Sequence, residues 1–242
     1  EESYMPKRNA TTSRFRGEEA LADIATIVQL GSRAIGTDGN RAVRELIRTR
    51  LHTLGLPIVS DAYVHTRKDG TTVHIENIMG RYNPEAPRRI IIGTHYDSIL
   101  RAYRDQVDPN GYMPGANNSA SGVALLLRAI PHLSHYVASS TGIDVVFFDG
   151  EEGEIALGAG DPNWSPLGST QFVKGLEGYY PTERPDHAVI FDMVCDERLN
   201  IYRETESVES TPKQSTKFFD IGGAYAPLGF FHETKHTIYD DH

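Results

Sequence analysis

The sequence has little of what disulfide-stapled, membrane-spanning or nucleic-acid-binding proteins need. Its 242 residues include one cysteine, Cys195, so no disulfide forms within the chain. Cys195 ends an apolar run and is expected to be a buried small hydrophobe. No run of about 18 apolar residues occurs, which excludes a membrane-spanning helix. The net charge of −9 argues against nucleic acid or an anionic membrane surface as the main partner.

A signal peptide is also absent from the sequence. The chain starts at Glu1 without a methionine, as a processed or trimmed product would, so the missing signal does not establish a cytoplasmic location. We expect an extracytoplasmic location, either secreted or periplasmic. The length fits one α/β domain. We place this domain at residues 17–242, after a polar N-terminal arm over residues 1–16.

Apolar spacing predicts two amphipathic helices and a hairpin in the first third of the chain. The helices follow two helical stripes, Leu21, Ile24 and Val28, then Val43, Leu46, Ile47, Leu51 and Leu54. A β-hairpin is predicted over residues 57–66 and 71–79, around the turn signal Lys68-Asp-Gly70.

Three dense apolar runs predict core strands, at residues 89–93, 143–148 and 188–191. A helix is predicted between the first two, from Ala120 to Ile130, with Ser119 as its N-cap. The polar residues 204–217 are expected to form a surface loop. Because strands alternate with helices, the predicted fold is an α/β three-layer sandwich, with a mostly parallel central sheet and helices on both faces.

Polar residues follow each predicted core strand. The segments are 93–97, with His95 and Asp97, then 149–152, with Glu151 and Glu152, then Asp192, and the segment 115–119 that precedes the central helix. Ligands of open α/β sheets bind outside the carboxyl ends of the strands, so these side chains are expected to meet at one edge. Histidine and carboxylates are ligands that zinc takes, so the set predicts a zinc site.

These segments resemble the motifs of the M28 metallopeptidase superfamily in order and spacing. The matching motifs are Gly93-Thr-His-Tyr-Asp-Ser98, Gly115-Ala-Asn-Asn-Ser-Ala-Ser-Gly122 and Phe147-Phe-Asp-Gly-Glu-Glu152. Three details are similar to the glutaminyl cyclase branch: Phe147–Glu152, Trp164-Ser-Pro166 followed by Gly168-Ser169, and Asp240-Asp-His242. The resemblance runs from about residue 15 to the last residue and implies a zinc exopeptidase-like fold.

The resemblance implies a role for each residue at the matched positions. Glu151 is implied as the general acid/base and Glu152 as a metal ligand. Asn118 occupies the position of an aspartate that bridges two zincs in the peptidases, or binds the single zinc in the cyclases. Asp97 is implied to orient His95 as a carboxylate behind the ligand.

The two branches differ in what they imply for Asp192. His95 and Asp192 complete a second zinc site in the peptidases. In the cyclases, Asp192 instead resembles part of a hydrogen-bonded acid network with Glu151 and Asp241. The family's last ligand is a histidine some tens of residues beyond the segment matched by Asp240-Asp-His242, so we expect either a C-terminally truncated chain or an incomplete metal site.

Two other patterns near the C-terminus stay open as alternatives. His232-Glu-Thr-Lys-His236 fits a zincin motif, in which the two histidines bind zinc and Glu233 is the base, although its flanks favour strand or loop. His236-Thr237 followed by Asp240 also resembles the family's terminal ligand motif, and would complete the site.

The predicted function is that of a zinc-dependent glutaminyl-peptide cyclotransferase, which forms N-terminal pyroglutamate and releases ammonia. The substrate would be a peptide or protein N-terminus, and one zinc would suffice. A di-zinc M28 aminopeptidase is the alternative. A catalytically impaired peptide-binding domain is the second alternative, because Asn118 replaces a metal-binding aspartate.

Overall fold

The structure, a computed structural model, describes residues 15–153, 164–197, 199–223 and 237–238. Two compact units divide the chain, one over residues 14–194 and the other from residue 195 onward. The predicted arm at 1–16 lies almost wholly outside the described residues. None of the described helices is long and apolar enough to cross a membrane.

The first unit consists of a five-stranded sheet and the helices packed against it. Its strands are β1 Ile58–Thr66, β2 Thr72–Tyr82, β3 Arg88–His95, β4 Thr141–Phe148 and β5 His187–Ile190. Its α-helices are α1 Gly17–Val28, α2 Asp38–Thr53, α3 Gly122–Ala129, α4 Leu133–Tyr136, α5 Leu167–Lys174 and α6 Leu176–Tyr179. A π-helical turn, Ala116–Ser121, precedes α3, and a 3₁₀ turn, Ile130–His132, follows it.

The strand order is β1-β2-β4-β3-β5. β1 and β2 form the predicted antiparallel hairpin, and β2 also pairs antiparallel with β4. β3 pairs parallel with both β4 and β5. The α/β fold class is confirmed, and the sheet is mixed, with its parallel half on the side of β3, β4 and β5.

Helices cover both faces of this sheet, as neighbouring residues of β2 show. A side chain at Gly80 would meet Leu51 of α2, whereas Met79 packs in a cluster with Phe172 of α5. Successive strand residues point to opposite faces, so α2 and α5 lie on opposite sides. The predicted three-layer arrangement is therefore present.

The start of the central helix differs from the prediction. Gly115, in a left-handed conformation with φ 63°, is the N-cap, and no side chain caps the turn. Ser119 instead donates its hydroxyl to the carbonyl oxygen of Asp97 at 2.6 Å. The expected cap residue is wrong because a π-helical turn begins three residues before Ser119, and this turn moves the hydroxyl into a contact with the loop after β3.

The strand predicted at 188–191 is present as β5, but it is an edge strand among the described residues. Ile190 is 49 % exposed, and Ala188 is exposed as well. The apolar run correctly predicted a strand, whereas the expectation of a covered core strand is wrong for the described part of the chain.

The second unit contains two helices where a loop was expected. It comprises β6 Arg203–Glu204, α7 Thr205–Ser210, α8 Pro212–Gly223 and β7 Thr237–Ile238. The side chain of Glu204 accepts hydrogen bonds from the backbone N–H groups of Glu206 and Ser207, and so caps α7. The polar composition of residues 204–217 led to the prediction of a loop in place of these short helices. Cys195, expected to be buried, is only partly buried.

Asp149, the first residue after β4, is a fully buried carboxylate that joins three parts of the first unit. It accepts hydrogen bonds from Nδ2 of Asn40 at 2.8 Å, from the backbone N–H of Glu76 at 3.2 Å, and from that of Gly150 at 3.0 Å. Burial raises its pKa to about 7, with a further contribution from the negative charge of Asp97. Asp149 therefore fixes the base of the loop that carries the two glutamates.

The raised pKa of Asp149 predicts how stability depends on pH. The folded chain keeps this proton up to about pH 7, whereas the unfolded chain loses it near pH 4. Raising the pH through this window should therefore lower the free energy of unfolding by about 4 kcal/mol through this group. In urea unfolding at a series of pH values, the Asp149→Asn variant should lack this loss.

The matched control is Asp186→Asn, which makes the same chemical change in an ion pair with Arg88 that is open to solvent. This control should keep the pH slope of the unaltered protein. An Asp149→Asn variant with an unchanged slope would contradict the assignment.

Candidate active site

The candidate site is built where the parallel strands end. β3 ends at His95, β4 at Phe148 and β5 at Ile190, and the three strands run in the same direction. Their carboxyl ends therefore lie at one edge of the sheet. Each predicted segment follows one of these ends, except the turn with Asn118, which precedes α3.

Asp97 is the residue that joins these loops. It is 1 % exposed. Its Oδ1 accepts the backbone N–H of Glu151 at 3.1 Å, and its Oδ2 accepts that of Glu152 at 3.0 Å. Oδ1 also lies 3.1 Å from Nδ1 of His95. One carboxylate thus fixes the backbone of both glutamates and the ring of the histidine.

His95 lies between two aspartates. Nδ1 faces Asp97, and Nε2 lies 3.4 Å from Oδ1 of Asp192. Burial lowers the pKa of His95, but the hydrogen bonds and negative charges of Asp192 and Asp97 outweigh it and raise the pKa to about 10. The expected pairing of His95 with Asp97 is present, and Asp192 faces the other ring nitrogen.

Asn118 contacts Glu152 directly. Its Nδ2 donates to Oε1 of Glu152 at 2.7 Å. With Glu152 ionised, the NH₂ end of the amide is the end that can donate to it, which agrees with this orientation. Oδ1 of Asn118 is then buried, and it has no hydrogen-bond partner within the described part of the chain. The peptide bond between Asn118 and Ser119 is cis.

The two adjacent glutamates have different surroundings. Glu151 is 6 % exposed, and Glu152 is partly buried. Burial and the negative charges of Asp97 and Glu151 together raise the pKa of Glu152 to about 7, against lowering contributions from His95 and Asn118. Burial and nearby negative charge therefore disfavour the ionised form of Glu152.

The structure thus brings together six of the predicted site residues through a connected set of contacts. These are His95, Asp97, Asn118, Glu151, Glu152 and Asp192. Asp241, the zincin alternative at 232–236 and the terminal motif at Asp240 lie outside the described residues, and of Thr237 only the backbone is described.

The sequence did not predict two polar side chains that hydrogen-bond to the loops carrying these residues. Arg33 donates to the carbonyl oxygens of Tyr96, Pro114 and Gly115. Asn40 joins Arg33 to Asp149. Neither residue follows a strand or belongs to one of the quoted motifs, so no local signal distinguished it.

The donor atoms fit zinc in kind, but those of the described residues do not complete a site. The 3.4 Å between Nε2 of His95 and Oδ1 of Asp192 equals the edge of a tetrahedron with ligands at about 2.1 Å. Near Glu152, however, the neighbouring ligand position holds the amide of Asn118. Among the described residues, no group of three or more histidine, cysteine, aspartate or glutamate side chains is arranged to hold a metal ion.

The chain is similar in sequence to known proteins. The glutaminyl-peptide cyclotransferase of Drosophila melanogaster is 29 % identical over 188 residues, which cover 74 % of this chain and 49 % of that protein. This chain therefore spans about half of that relative's length.

Solved structures show the same fold. The Bacteroides thetaiotaomicron glutaminyl cyclase bound to N-acetylhistamine has a TM-score of 0.81 and 26 % identity, covering 94 % of this chain and 79 % of that one. A zinc-dependent exopeptidase from Parabacteroides distasonis has a TM-score of 0.78 at 24 % identity, with coverage of 94 % and 79 %, which shows a shared fold alone.

The match to a protein family spans both the site and the C-terminal segment. Residues 77–242 match the family described as Peptidase family M28, and this range contains the loops that carry His95, Asn118, Glu151, Glu152 and Asp192. The chain therefore belongs to peptidase family M28.

Proposed function

We propose that this chain carries the catalytic residues of a glutaminyl-peptide cyclotransferase, which closes an N-terminal glutamine to pyroglutamate and releases ammonia. The observation that carries the proposal is the anchoring of Glu151 and Glu152 by one buried aspartate, Asp97. This anchoring holds a proton-transferring carboxylate and a ligand carboxylate side by side on one rigid loop. The cyclotransferase and cyclase relatives support the assignment.

In this proposal, Glu151 moves the proton that the reaction must transfer. The α-amino nitrogen of the substrate attacks the carbon of the glutamine side-chain amide, and a C–N bond forms as the C–NH₂ bond breaks. Glu151 accepts a proton from the attacking nitrogen and delivers it to the leaving nitrogen, which departs as ammonia. The peptide keeps its number of residues.

Zinc, when bound, would polarise the side-chain carbonyl of the substrate. Among the described residues, Glu152 would hold it, with Oδ1 of Asn118 as a neutral donor. His95 and Asp192 would hold only a second metal ion. Asp97 keeps Glu152 in place through its backbone and His95 through its ring.

Asn118 favours the cyclotransferase over a di-zinc enzyme. A neutral amide donates no negative charge to a metal and does not bridge two dications well, whereas a bridging carboxylate does. Since Nδ2 of Asn118 is directed at Glu152, only Oδ1 is left to accept a cation. Chemistry that needs one zinc is therefore more compatible with this chain than chemistry that needs two.

A di-zinc aminopeptidase is the second candidate, favoured by the pair formed by His95 and Asp192. Their 3.4 Å separation suits a second metal site. In that case Glu151 would act on a water molecule instead of the substrate amine. A catalytically impaired peptide-binding domain is the third candidate, because a neutral residue at position 118 lowers the affinity of Glu152 for a metal ion.

The product of the reaction separates the first two candidates. When the protein is incubated with a peptide that begins with glutamine, we expect ammonia release and a single product of unchanged residue number, detected by mass spectrometry. Peptides that begin with leucine should be left intact. Free amino acids in the reaction mixture would move the assignment to an aminopeptidase, and no reaction with either peptide would favour the impaired domain.

Glu151 is tested as the proton carrier by Glu151→Gln. This change keeps the shape and removes proton transfer, so the rate of ammonia release should fall by roughly 10²–10⁴-fold. Zinc content should stay the same, because Glu152 is the proposed ligand. Glu183→Gln, the same change at an exposed position, is the control and should keep the full rate. If Glu151→Gln loses zinc, the roles of the two glutamates are reversed.

Asn118 is tested by Asn118→Asp. The change replaces the NH₂ donor by a charged oxygen, so zinc affinity should rise by roughly 10- to 100-fold, as expected for a charged contact. Competition with a chromophoric chelator measures the affinity. Asn110→Asp, at an exposed position, adds the same charge and should leave the affinity nearly unchanged. Equal affinity in the unaltered protein and the Asn118→Asp variant would show that Asn118 takes no part in the site.

A further inference from the structure

Arg33 is a buried cation whose side-chain partners are carbonyl groups. It lies in the connection between α1 and α2 and is 0 % exposed. Nε donates to the carbonyl oxygen of Tyr96 at 3.1 Å, Nη1 to that of Pro114 at 3.0 Å, and Nη2 to that of Gly115 at 2.7 Å. The guanidinium therefore links two segments that are distant in sequence.

These two segments are the ones that carry the candidate ligands. Tyr96 lies between His95 and Asp97, and Gly115 begins the turn that contains Asn118. The backbone N–H of Arg33 also donates to the hydroxyl of Ser98 at 3.1 Å, so the first segment is held at two points. A single planar group thus spans the gap between the loop after β3 and the turn before α3.

Burying the charge of Arg33 costs free energy, and its hydrogen bonds to the three carbonyl groups offset this cost. Taking an ion out of water costs several kcal/mol unless hydrogen bonds and opposite charges compensate. Burial lowers the pKa of Arg33, and the negative charge of Asp97 acts in the opposite direction. The three carbonyl groups are met by three different nitrogens of Arg33, whereas a lysine carries its donors on one nitrogen and cannot reproduce this planar fork.

Gly115 is matched to this contact. Its φ of +63° favours glycine, and a Cβ atom there would lie 2.6 Å from Nη2 of Arg33. Because the position has no side chain, the guanidinium approaches the backbone closely enough to bond its carbonyl oxygen. Arg33 and Gly115 therefore depend on each other for the conformation of the turn.

Arg33 is also linked to the loop after β4 by hydrogen bonds through Asn40. Nδ2 of Asn40 donates both to the carbonyl oxygen of Arg33 at 3.0 Å and to Oδ1 of Asp149 at 2.8 Å. Through Asn40 of α2, Arg33 is therefore linked to the loop after β4 as well as to the two segments that it contacts directly.

We propose that Arg33 is a positioning residue that sets the separation between the His95–Asp97 loop and the Asn118 turn. It contacts neither substrate nor reacting atoms in the proposed function. The catalytic consequence rests on the proposed function, whereas the structural consequence, fixing of the two segments, does not.

The test compares Arg33→Lys with Arg89→Lys. Arg89 is a second largely buried arginine, which bonds both carboxylate oxygens of Asp144. It lies near the start of β3, six residues before His95, and so about 20 Å from the site at about 3.3 Å per residue. Both changes keep the charge and lose the fork, so both should lower the free energy of unfolding.

Only Arg33→Lys should loosen the site. In hydrogen exchange followed by mass spectrometry, under conditions where both variants are folded, peptides covering residues 94–98 and 113–122 should exchange faster than in the unaltered protein. Arg89→Lys should leave these peptides unchanged. For ammonia release, kcat of Arg33→Lys should fall by roughly 10- to 100-fold, as expected for a small misplacement of catalytic groups, with a smaller change in KM.

Ser98→Ala provides a second variant in case Arg33→Lys does not fold. It removes one bond to Arg33 without disturbing a buried charge, and it should loosen the same two peptides to a smaller extent. Unchanged exchange in both peptides, or equal loosening in Arg89→Lys, would overturn the proposal. If the unaltered protein releases no ammonia, the proposed function fails, and the exchange measurements alone decide the role of Arg33.

Discussion

The geometry of the site depends above all on the carboxylate of Asp97. It accepts the backbone N–H groups of Glu151 and Glu152, and it contacts the ring of His95. These contacts tie the loop after β4 to the loop after β3 beyond the point where the pairing of the two strands ends. Two other buried groups also contact these loops: Arg33 bonds the loop after β3, and Asp149 bonds the loop after β4. The strand ends supply the residues, and this buried polar layer fixes their positions.

Asn118 stands where the resemblance to the family implies an aspartate. A carboxylate at this position would repel Glu152 unless a cation lay between them, whereas the amide donates a hydrogen bond to Glu152 directly. An asparagine in place of an aspartate therefore stabilises the contact between residues 118 and 152. It also reduces the negative charge that the site offers to a metal. Both effects follow from exchanging one oxygen for one NH₂ group.

Much of the site could be predicted because its residues follow strands made of continuous apolar runs. His95, Glu151 and Glu152 were found in this way, as were β3 and β4. Arg33 could not be found, because its partners lie 63 to 82 residues away and its neighbours show no periodicity. The antiparallel pairing of β2 with β4 is likewise non-local. The helix α7 was missed because its stability depends on a cap by Glu204 and not on an apolar stripe.

The central claim is that this edge of the sheet supports chemistry with one metal ion and a carboxylate that moves protons. The stoichiometry of zinc at saturation tests it most directly. Equilibrium dialysis against increasing zinc, followed by elemental analysis of the full chain, should approach one zinc per chain. Two zincs per chain would contradict the account, because the two dications would then have to share the side chain of Asn118, which carries no charge.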